Sequence, residues 1–363
     1  MNNPLLQRVD AYLRGISRTD RVCIVHDTDP DGVCSAVIIA KCIERLRGTK
    51  IDLRLSLDKK LHAINPDMLS QIKKAGINKL ITTDFSLEQN MDTIRELEGL
   101  CEILVIDHHK LYAEVNSPRT ILYKPQLFSE IDPSRYCTGK LAFDAAMRVA
   151  DVSNLDWLAA SACIADIATV PWLSWLKSVF RKYKFKPKKN LFDTALGQVA
   201  STITSAEVYD IKLVAECFDV FYKAKGPKDV LKSKLGKCRN IVDKELKYWI
   251  KRFPRGAERH GELRIFEIKP KFHLQGPVST ILGLKYPHNT IIVADISKDF
   301  ISISARRGDK KLAVNTLLEK AVEGLKDAHA GGHVPAAGAG FNKMHYSVFK
   351  KRVIAMAGGV DGA

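Results

Sequence analysis

The chain has no CxxC pair among its eight cysteines, which stand far apart at positions 23, 34, 42, 101, 137, 163, 217 and 238. That spacing excludes a zinc knuckle and a disulfide framework, and leaves the thiols as reduced packing residues. Long hydrophobic runs are also missing. The longest apolar stretch, "LAASACIADIATVPWLSWL" (158–176), is interrupted by Asp166 and Pro171, so it reads as a buried helix and not as a membrane span. The opening "MNNPLLQRVDAYLRG" lacks the apolar centre of a signal peptide and reads as an amphipathic helix, so the cytoplasm is the expected address and no membrane attachment is expected. Tandem repeats and long disordered tracts are absent as well. Acid is in short supply: 41 Asp and Glu against 57 Lys and Arg give a net charge of +16. A surface of that sign attracts polyanions, with nucleic acid preferred over anionic lipid.

The 363 residues are 46% hydrophobic, which suits two compact domains better than one core. In the first half, "RVCIVHD", "IDLRLSL", "KLITTDF", "EILVIDHH" and "TILYKP" read as strands separated mostly by helical patterns. This rhythm predicts an α/β fold with a mainly parallel sheet covered by helices. From about 138 to 255 the pattern is almost wholly helical. Beyond "KRFPRG", the strands "LRIFEIK", "TIIVADI" and "FISISARR", the helix "LAVNTLLEKAVEGL", the glycine-rich "AGGHVPAAGAGF" and the helix "HYSVFKKRVIAMA" predict a smaller α/β domain. The expected division is 1–200, a helical connector 201–255, and 256–363.

Ligands of parallel sheets gather beyond the carboxyl ends of the strands. Three of the five first-half runs end there in Asp or His: His26 with Asp27, Asp84, and Asp107 with His108 and His109. Singly, Asp31 before Gly32 and Asp84 before "FSLE" could each cap a helix. Collectively, His26, Asp29, Asp31, Asp84, Asp107 and His108 would converge on one edge, where unneutralised carboxylates destabilise a fold. Divalent cations remove that penalty. Carboxylate and imidazole donors without thiolate suit Mn2+ or Mg2+, with Mn2+ favoured by the histidines. Two such ions about 4 Å apart, bridged by one carboxylate, lower the pKa of a shared water and stabilise a phosphoryl displacement. Asp166, an acid expected inside the apolar helix "ACIADIATV", belongs with this set because a lone buried carboxylate is costly.

Together "HDTDPDG", "TTDFS", "VIDHH", "IADIAT" and the distal "GGHVPAAG" resemble the DHH phosphoesterase superfamily, over nearly the whole chain. The C-terminal "GGH" and "AAG" resemble the DHH-associated domain of RecJ-type single-strand exonucleases and of oligoribonuclease or cyclic-dinucleotide phosphodiesterase relatives. The resemblance implies an active site in the cleft between the domains. It also implies a first metal held by His26, Asp29 and Asp84, and a second by Asp31, Asp84, His108 and Asp166, with Asp84 as the bridge. Asp107 would orient a histidine, and His109 would face the scissile phosphate. Because Asp27 directly follows the histidine, Asp27 and Asp29 both stand as the first metal's carboxylate. In the distal domain the resemblance implies substrate contact by Gly331, Gly332, His333 and Arg306; strand alternation puts Arg307 on the opposite face, where it is expected to be solvated.

The segment "WLKSVFRKYKFKPKKN" (175–190) interleaves seven cations with Phe180, Tyr183 and Phe185. It is either a groove that tracks phosphates and stacks bases or a basic surface whose rings pack inward. The expected activity is a Mn2+- or Mg2+-dependent exonuclease on single-stranded DNA or RNA. The alternatives are a phosphodiesterase for short oligonucleotides or linear dinucleotides, and a noncatalytic scaffold among replication or repair proteins.

Overall fold

The computed structural model describes residues 3–58 and 63–358 and divides the chain into two compact units, 1–239 and 240–363. The division falls inside a helix, and the expected boundary at 200 lies within another helix, Ala195–Tyr209. Continuous helical hydrogen bonding carries the chain past both points, so no loop marks them.

The first unit begins with α1 (Pro4–Arg14), β1 (Val22–His26), α2 (Pro30–Arg47), β2 (Leu53–Ser56), α3 (Pro66–Lys74), β3 (Lys79–Thr83), α4 (Met91–Glu98), β4 (Glu102–Ile106) and β5 (Thr120–Tyr123). The five predicted strands form one parallel sheet in the order β2-β1-β3-β4-β5. Alternation along β1 sends Val22 and Ile24 into one core and Cys23 and Val25 into another. The first core is closed by α2 with α5 (Thr138–Val149) and α6 (Asp156–Ala165), and the second by α3 and α4. Helices therefore cover both faces, which is why these strands read as continuous hydrophobic runs. The all-helical remainder is α7 (Leu173–Lys182), α8 (Ala195–Tyr209), α9 (Val214–Lys223), α10 (Pro227–Lys232) and α11 (Lys234–Gly256). All eight cysteines are buried, and none forms a disulfide.

The stretch 158–176 is not one helix. The α6 helix stops at Ala165, Asp166 takes the C-cap position, and Ile167 adopts φ 55° before a short 3-10 turn at Val170–Trp172 leads into α7. A β-branched residue in the left-handed region ends helical hydrogen bonding. No helix among the described residues is long and apolar enough to cross a membrane.

The second unit contains β6 (Glu258–His260), β7 (Leu263–Ile268), α12 (Gln275–Lys285), β8 (Thr290–Asp295), β9 (Phe300–Arg306), α13 (Val314–Val322), β10 (His329–His333), β11 (Ala336–Asn342) and α14 (Tyr346–Ala357). Its six-stranded mixed sheet has the order β10-β11-β9-β8-β7-β6. The glycine-rich "AGGHVPAAGAGF" is a β-hairpin, with β10 as the edge strand. Small residues hid this pairing from a pattern reading that relies on β-branched and aromatic side chains.

Candidate metal centre

The register of the parallel sheet assembles the site. His26, Thr83 and Ile106 stand side by side at the strand ends, with Tyr123 next in the row. The ladder continues one step beyond them: Asp27 N donates to Thr83 O (3.2 Å), Asp84 N to Ile106 O (3.0 Å), and Asp107 N to Tyr123 O (3.3 Å). Three acids are thus lined up across neighbouring strands, followed by Lys124. The strand order 2-1-3 makes β1/β3 the point where chain direction across the sheet reverses, the usual place for a ligand in an open α/β sheet.

Two helix ends complete the cluster. Asp29 caps α2, its Oδ1 accepting from Gly32 N at 2.8 Å, and this brings Asp31 into the first turn. Asp31 is fully buried and faces the amino end of α5: Oδ2 accepts from Thr138 N and Oδ1 from Gly139 N, both at 2.7 Å. A side chain at Gly139 would put Cβ 2.5 Å from Ala162 Cβ and 3.0 Å from Asp31 Oδ1, so only glycine lets this helix end approach the carboxylate. Thr138 Oγ1 donates to Asp84 Oδ1 at 2.9 Å. Asp84 itself has φ 71°, a left-handed conformation that Asp tolerates better than most residues and that marks a constrained turn.

His108 Nε2 lies 3.3 Å from Asp166 Oδ2, 3.8 Å from Asp84 Oδ1 and 3.9 Å from Asp31 Oδ2. Its Nδ1 is 3.1 Å from Pro133 O, so this nitrogen carries the proton and Nε2 is the donor atom aimed at the acids. His109 Nδ1–H donates to Asp107 Oδ1 at 2.7 Å while half of its side chain stays exposed. Asp166, at the carboxyl end of α6, sits against the negative end of the helix dipole, an arrangement that calls for a cation.

Electrostatics point the same way. Burial raises the Asp84 carboxyl well above the ordinary range, and the charges of Asp31, Asp29, Asp166 and Asp107 add to it. Asp31 is raised by burial and Asp29, against an opposing effect of His108. Asp166 is pushed up to about 8 by burial and by Asp31 and Asp29. Asp107 behaves differently. Burial pushes it up, but the hydrogen bond from His109 and the charges of Lys124 and His109 outweigh burial and hold it well below the usual carboxylate range. The same bond lifts His109 to about 8 against burial.

Three donor sets have ligand atoms within 4.8 Å of one another: Asp27, Asp29 and Asp84; Asp31, His108 and Asp166; and Asp84, His108 and His109. The chemistry of these sets fits hard divalent cations, since they offer carboxylate and imidazole with no thiolate and cannot neutralise their own charge. His26 stands outside them. Its Nδ1 is 2.6 Å from Asp27 O, its Nε2 is 3.4 Å from Arg54 Nη1, and its ring stacks on Phe218 at 5.6 Å. Burial lowers this imidazole to about 4. In this arrangement Asp27, adjacent to His26, supplies the donor beside Asp29 and Asp84.

Residues 21–169 match the DHH family, N-terminal domain. This stretch of the first unit is therefore similar to the N-terminal domain of DHH-family proteins. The matched stretch is followed along the chain by the helical remainder of the first unit and by the second, α/β unit. No curated protein sequence matches the chain. Among solved structures, it is similar to exonuclease RecJ bound to manganese, at 16% identity and TM-score 0.66, covering 97% of this chain and 94% of that one. RecJ from Thermus thermophilus in complex with Mg2+ matches at 15% identity and TM-score 0.58, covering 98% of this chain and 53% of that one. The pGpG-specific phosphodiesterase PggH from Vibrio cholerae matches at 13% identity and TM-score 0.52, covering 93% and 98%. At such identities the likeness is one of fold.

In the second unit, the register places His333 opposite Ala336, and Ala336 opposite Arg306. The three therefore line up on one sheet face, with Gly331 on that face and Gly332 on the other. Gly332 has φ 140°, and a Cβ there would lie 2.6 Å from Ala336 O and Ala337 Cα. Arg306 is half-buried and bonds only to its own strand, at Ala305 O (2.9 Å) and Ser304 Oγ (3.4 Å); no carboxylate pairs with it among the described residues. Arg307 is not solvated. Its side chain is 2% exposed, with Nη2 at 2.6 Å from Glu262 and Nε at 2.6 Å from Asp309. A chain leaving β9 at this point turns Arg307 into an ion-paired pocket that strand alternation did not foresee.

The rings of 175–190 pack inward: Phe180 is buried, and Tyr183 and Phe185 lie against the hydrophobic core. Tyr183 Oη and Lys182 Nζ both donate to Asp156. Lys124 is the residue that the sequence reading overlooked. Its signal was present, since "TILYKP" puts a lysine at the same strand-end position that the neighbouring runs give to acids.

Proposed function

We propose that the chain is a divalent-cation-dependent phosphodiesterase that releases nucleotides from the ends of single-stranded DNA or RNA. The observation that carries this reading is the cluster of mutually repelling acids around buried Asp84 and Asp31 at the β1/β3 switch point, with His109 anchored beside it. Asp27, Asp29 and Asp84 would hold one ion, and Asp31, His108 and Asp166 the other, with Asp84 between the two sets. When bound, Mn2+ or Mg2+ supplies positive charge for the phosphate oxygens and acidifies a water.

The chain's own groups do the rest. The amides of Thr138 and Gly139 fix both oxygens of Asp31, so its orientation does not depend on solvent. Thr138 fixes one oxygen of Asp84. Asp107 holds Nδ1–H of His109, which leaves Nε2 to hydrogen-bond a phosphate oxygen or pass a proton to the departing oxygen. In the second unit Arg306, without an acidic partner, is the cation available to a phosphate, and His333 shares its face.

The inward packing of Phe180, Tyr183 and Phe185 favours a second reading, a preference for short oligonucleotides or dinucleotides, because it withdraws the base-stacking platform a long strand would use. A time course with Mn2+ on end-labelled single-stranded DNA, single-stranded RNA and a linear dinucleotide tests both. Stepwise mononucleotide release from long strands supports the first reading, and turnover confined to the dinucleotide supports the second. Binding of all three without cleavage would overturn the enzymatic assignment in favour of a scaffold.

A further inference from the structure

We propose that Lys124 is a positioning residue that acts, together with Glu88, through Asp107 to hold His109 in the one tautomer and orientation that leave Nε2 facing the substrate. Its kinetic consequence rests on the phosphodiesterase reading, while the geometry stands by itself. The β4–β5 register pairs Ile106 with Tyr123, so Lys124 is the next member of the row formed by Asp27, Asp84 and Asp107. A cation thus closes a line of acids. Its ammonium is fully buried and bonded on every side: to Asp107 Oδ2 at 2.8 Å, to Glu88 Oε1, to the Lys110 carbonyl at 3.0 Å and to Ser86 Oγ at 3.3 Å.

This leaves the two oxygens of Asp107 with separate tasks. Oδ2 takes Lys124 and Ser86 Oγ (3.1 Å), and Oδ1 takes His108 N (2.9 Å), His109 N (3.3 Å) and His109 Nδ1 (2.7 Å). A carboxylate clamped at one oxygen cannot swing, so the imidazole bonded to the other cannot flip without losing its bond. Gln126 Nε2 holds the His109 carbonyl at 2.7 Å from the other side. Glu88 supplies a second negative charge against the one ammonium, so Asp107 keeps negative charge to share with the imidazole. A buried lysine costs more than an apolar side chain unless its geometry is well satisfied. Here it is satisfied by groups that converge on a reacting residue. Lys124 forms no hydrogen bond or ion pair with Asp29, Asp31, Asp84, His108 or Asp166, so its effect should reach His109 first.

The test compares wild type, Lys124→Met, and Lys124→Met combined with Glu88→Gln, which removes the acid that the first change leaves unpaired. Four quantities are measured: kcat and KM with Mn2+ on a labelled oligonucleotide, Mn2+ affinity by calorimetry, thermal midpoint, and the imidazole 15N shifts of His109 in metal-free protein at about pH 9.5, above the usual histidine range. Both variants are expected to lose about 10- to 100-fold in kcat, with KM and Mn2+ affinity changed by less than about threefold. The double variant should recover thermal midpoint relative to the single one without recovering kcat. The His109 spectrum should change from the Nδ1-protonated form alone to a mixture of tautomers. A folded double variant with wild-type kcat, or an unchanged His109 spectrum, would overturn the proposal. If wild-type protein hydrolyses no phosphodiester, the functional reading fails separately, and the tautomer spectrum still decides the role of Lys124.

Discussion

Two groups of buried carboxylates lie a few residues apart at one sheet edge and are treated in opposite ways. Glu88 and Asp107 share an internal cation, Lys124, with side chains entirely inaccessible on all three residues. Asp31, Asp84 and Asp166 have backbone amides, a threonine hydroxyl and His108, but no lysine or arginine forms an ion pair with them among the described residues. Asp107 is consequently held below the ordinary carboxylate range, whereas the other three are pushed upward by burial and by neighbouring acids. The difference separates support from function. Where the fold fixes Asp107, the chain supplies the counter-charge itself; at the candidate metal-binding sets it leaves the charge unbalanced.

The comparison breaks most visibly at Asp84. Asp84→Asn, which keeps the left-handed turn and the bond from Thr138, is expected to lower kcat by about three orders of magnitude or more, because several kcal/mol of charge stabilisation are at stake. Affinity for a single strand, measured by fluorescence anisotropy, should change little. The same variant sharpens the contrast in stability. In a chelator, relief of buried repulsion should raise its thermal midpoint above wild type, while saturating Mn2+ should raise wild type and leave the variant behind. A variant that is less stable than wild type in both conditions would mean that the cluster is not held apart from its optimum by uncompensated charge.

Smaller effects follow in the second unit, where the same contrast recurs between two adjacent arginines. Under the proposed function, Arg306→Ala should raise KM about tenfold or more with its thermal midpoint nearly unchanged, since it breaks no ion pair and would remove one charged hydrogen bond to the substrate phosphate. Arg307→Ala should leave KM alone and cost about 1–2 kcal/mol of stability by chemical denaturation, the loss being moderated by the 44% exposure of Glu262. Least costly of all, Gly331→Ala should be tolerated, having nothing within 4 Å of its added methyl, whereas Gly332→Ala should destabilise the hairpin measurably through its φ of 140°.

Much of this was legible in order of residues alone. Five apolar runs, three of them ending in acid or histidine, predicted the parallel sheet and its functional edge, because burial on both faces forces continuous hydrophobic strands and the strand ends of such a sheet share one side. The same strand ends led to the expectation that His26, Asp29, Asp31, Asp84, Asp107 and His108 converge, with Asp166 added as an acid in an apolar stretch; His26 lies outside the three donor sets and Asp107 is held by Lys124. The hairpin "AGGHVPAAGAGF" was not legible, since glycine and alanine carry no strand signature and their pairing is decided by the neighbouring strand β9.

By itself the sequence determined which side chains are present at the strand ends, and therefore that a surplus of acid had to be neutralised there. Only the tertiary structure decided how that surplus is divided. Register places Lys124 next to Asp107 and not next to Asp84, the carbonyl of Asp27 and the guanidinium of Arg54 engage the ring of His26, and the end of α6 turns Asp166 toward His108. These are distances between residues remote in the chain, and Coulomb interactions in a buried site depend on such distances far more than on composition.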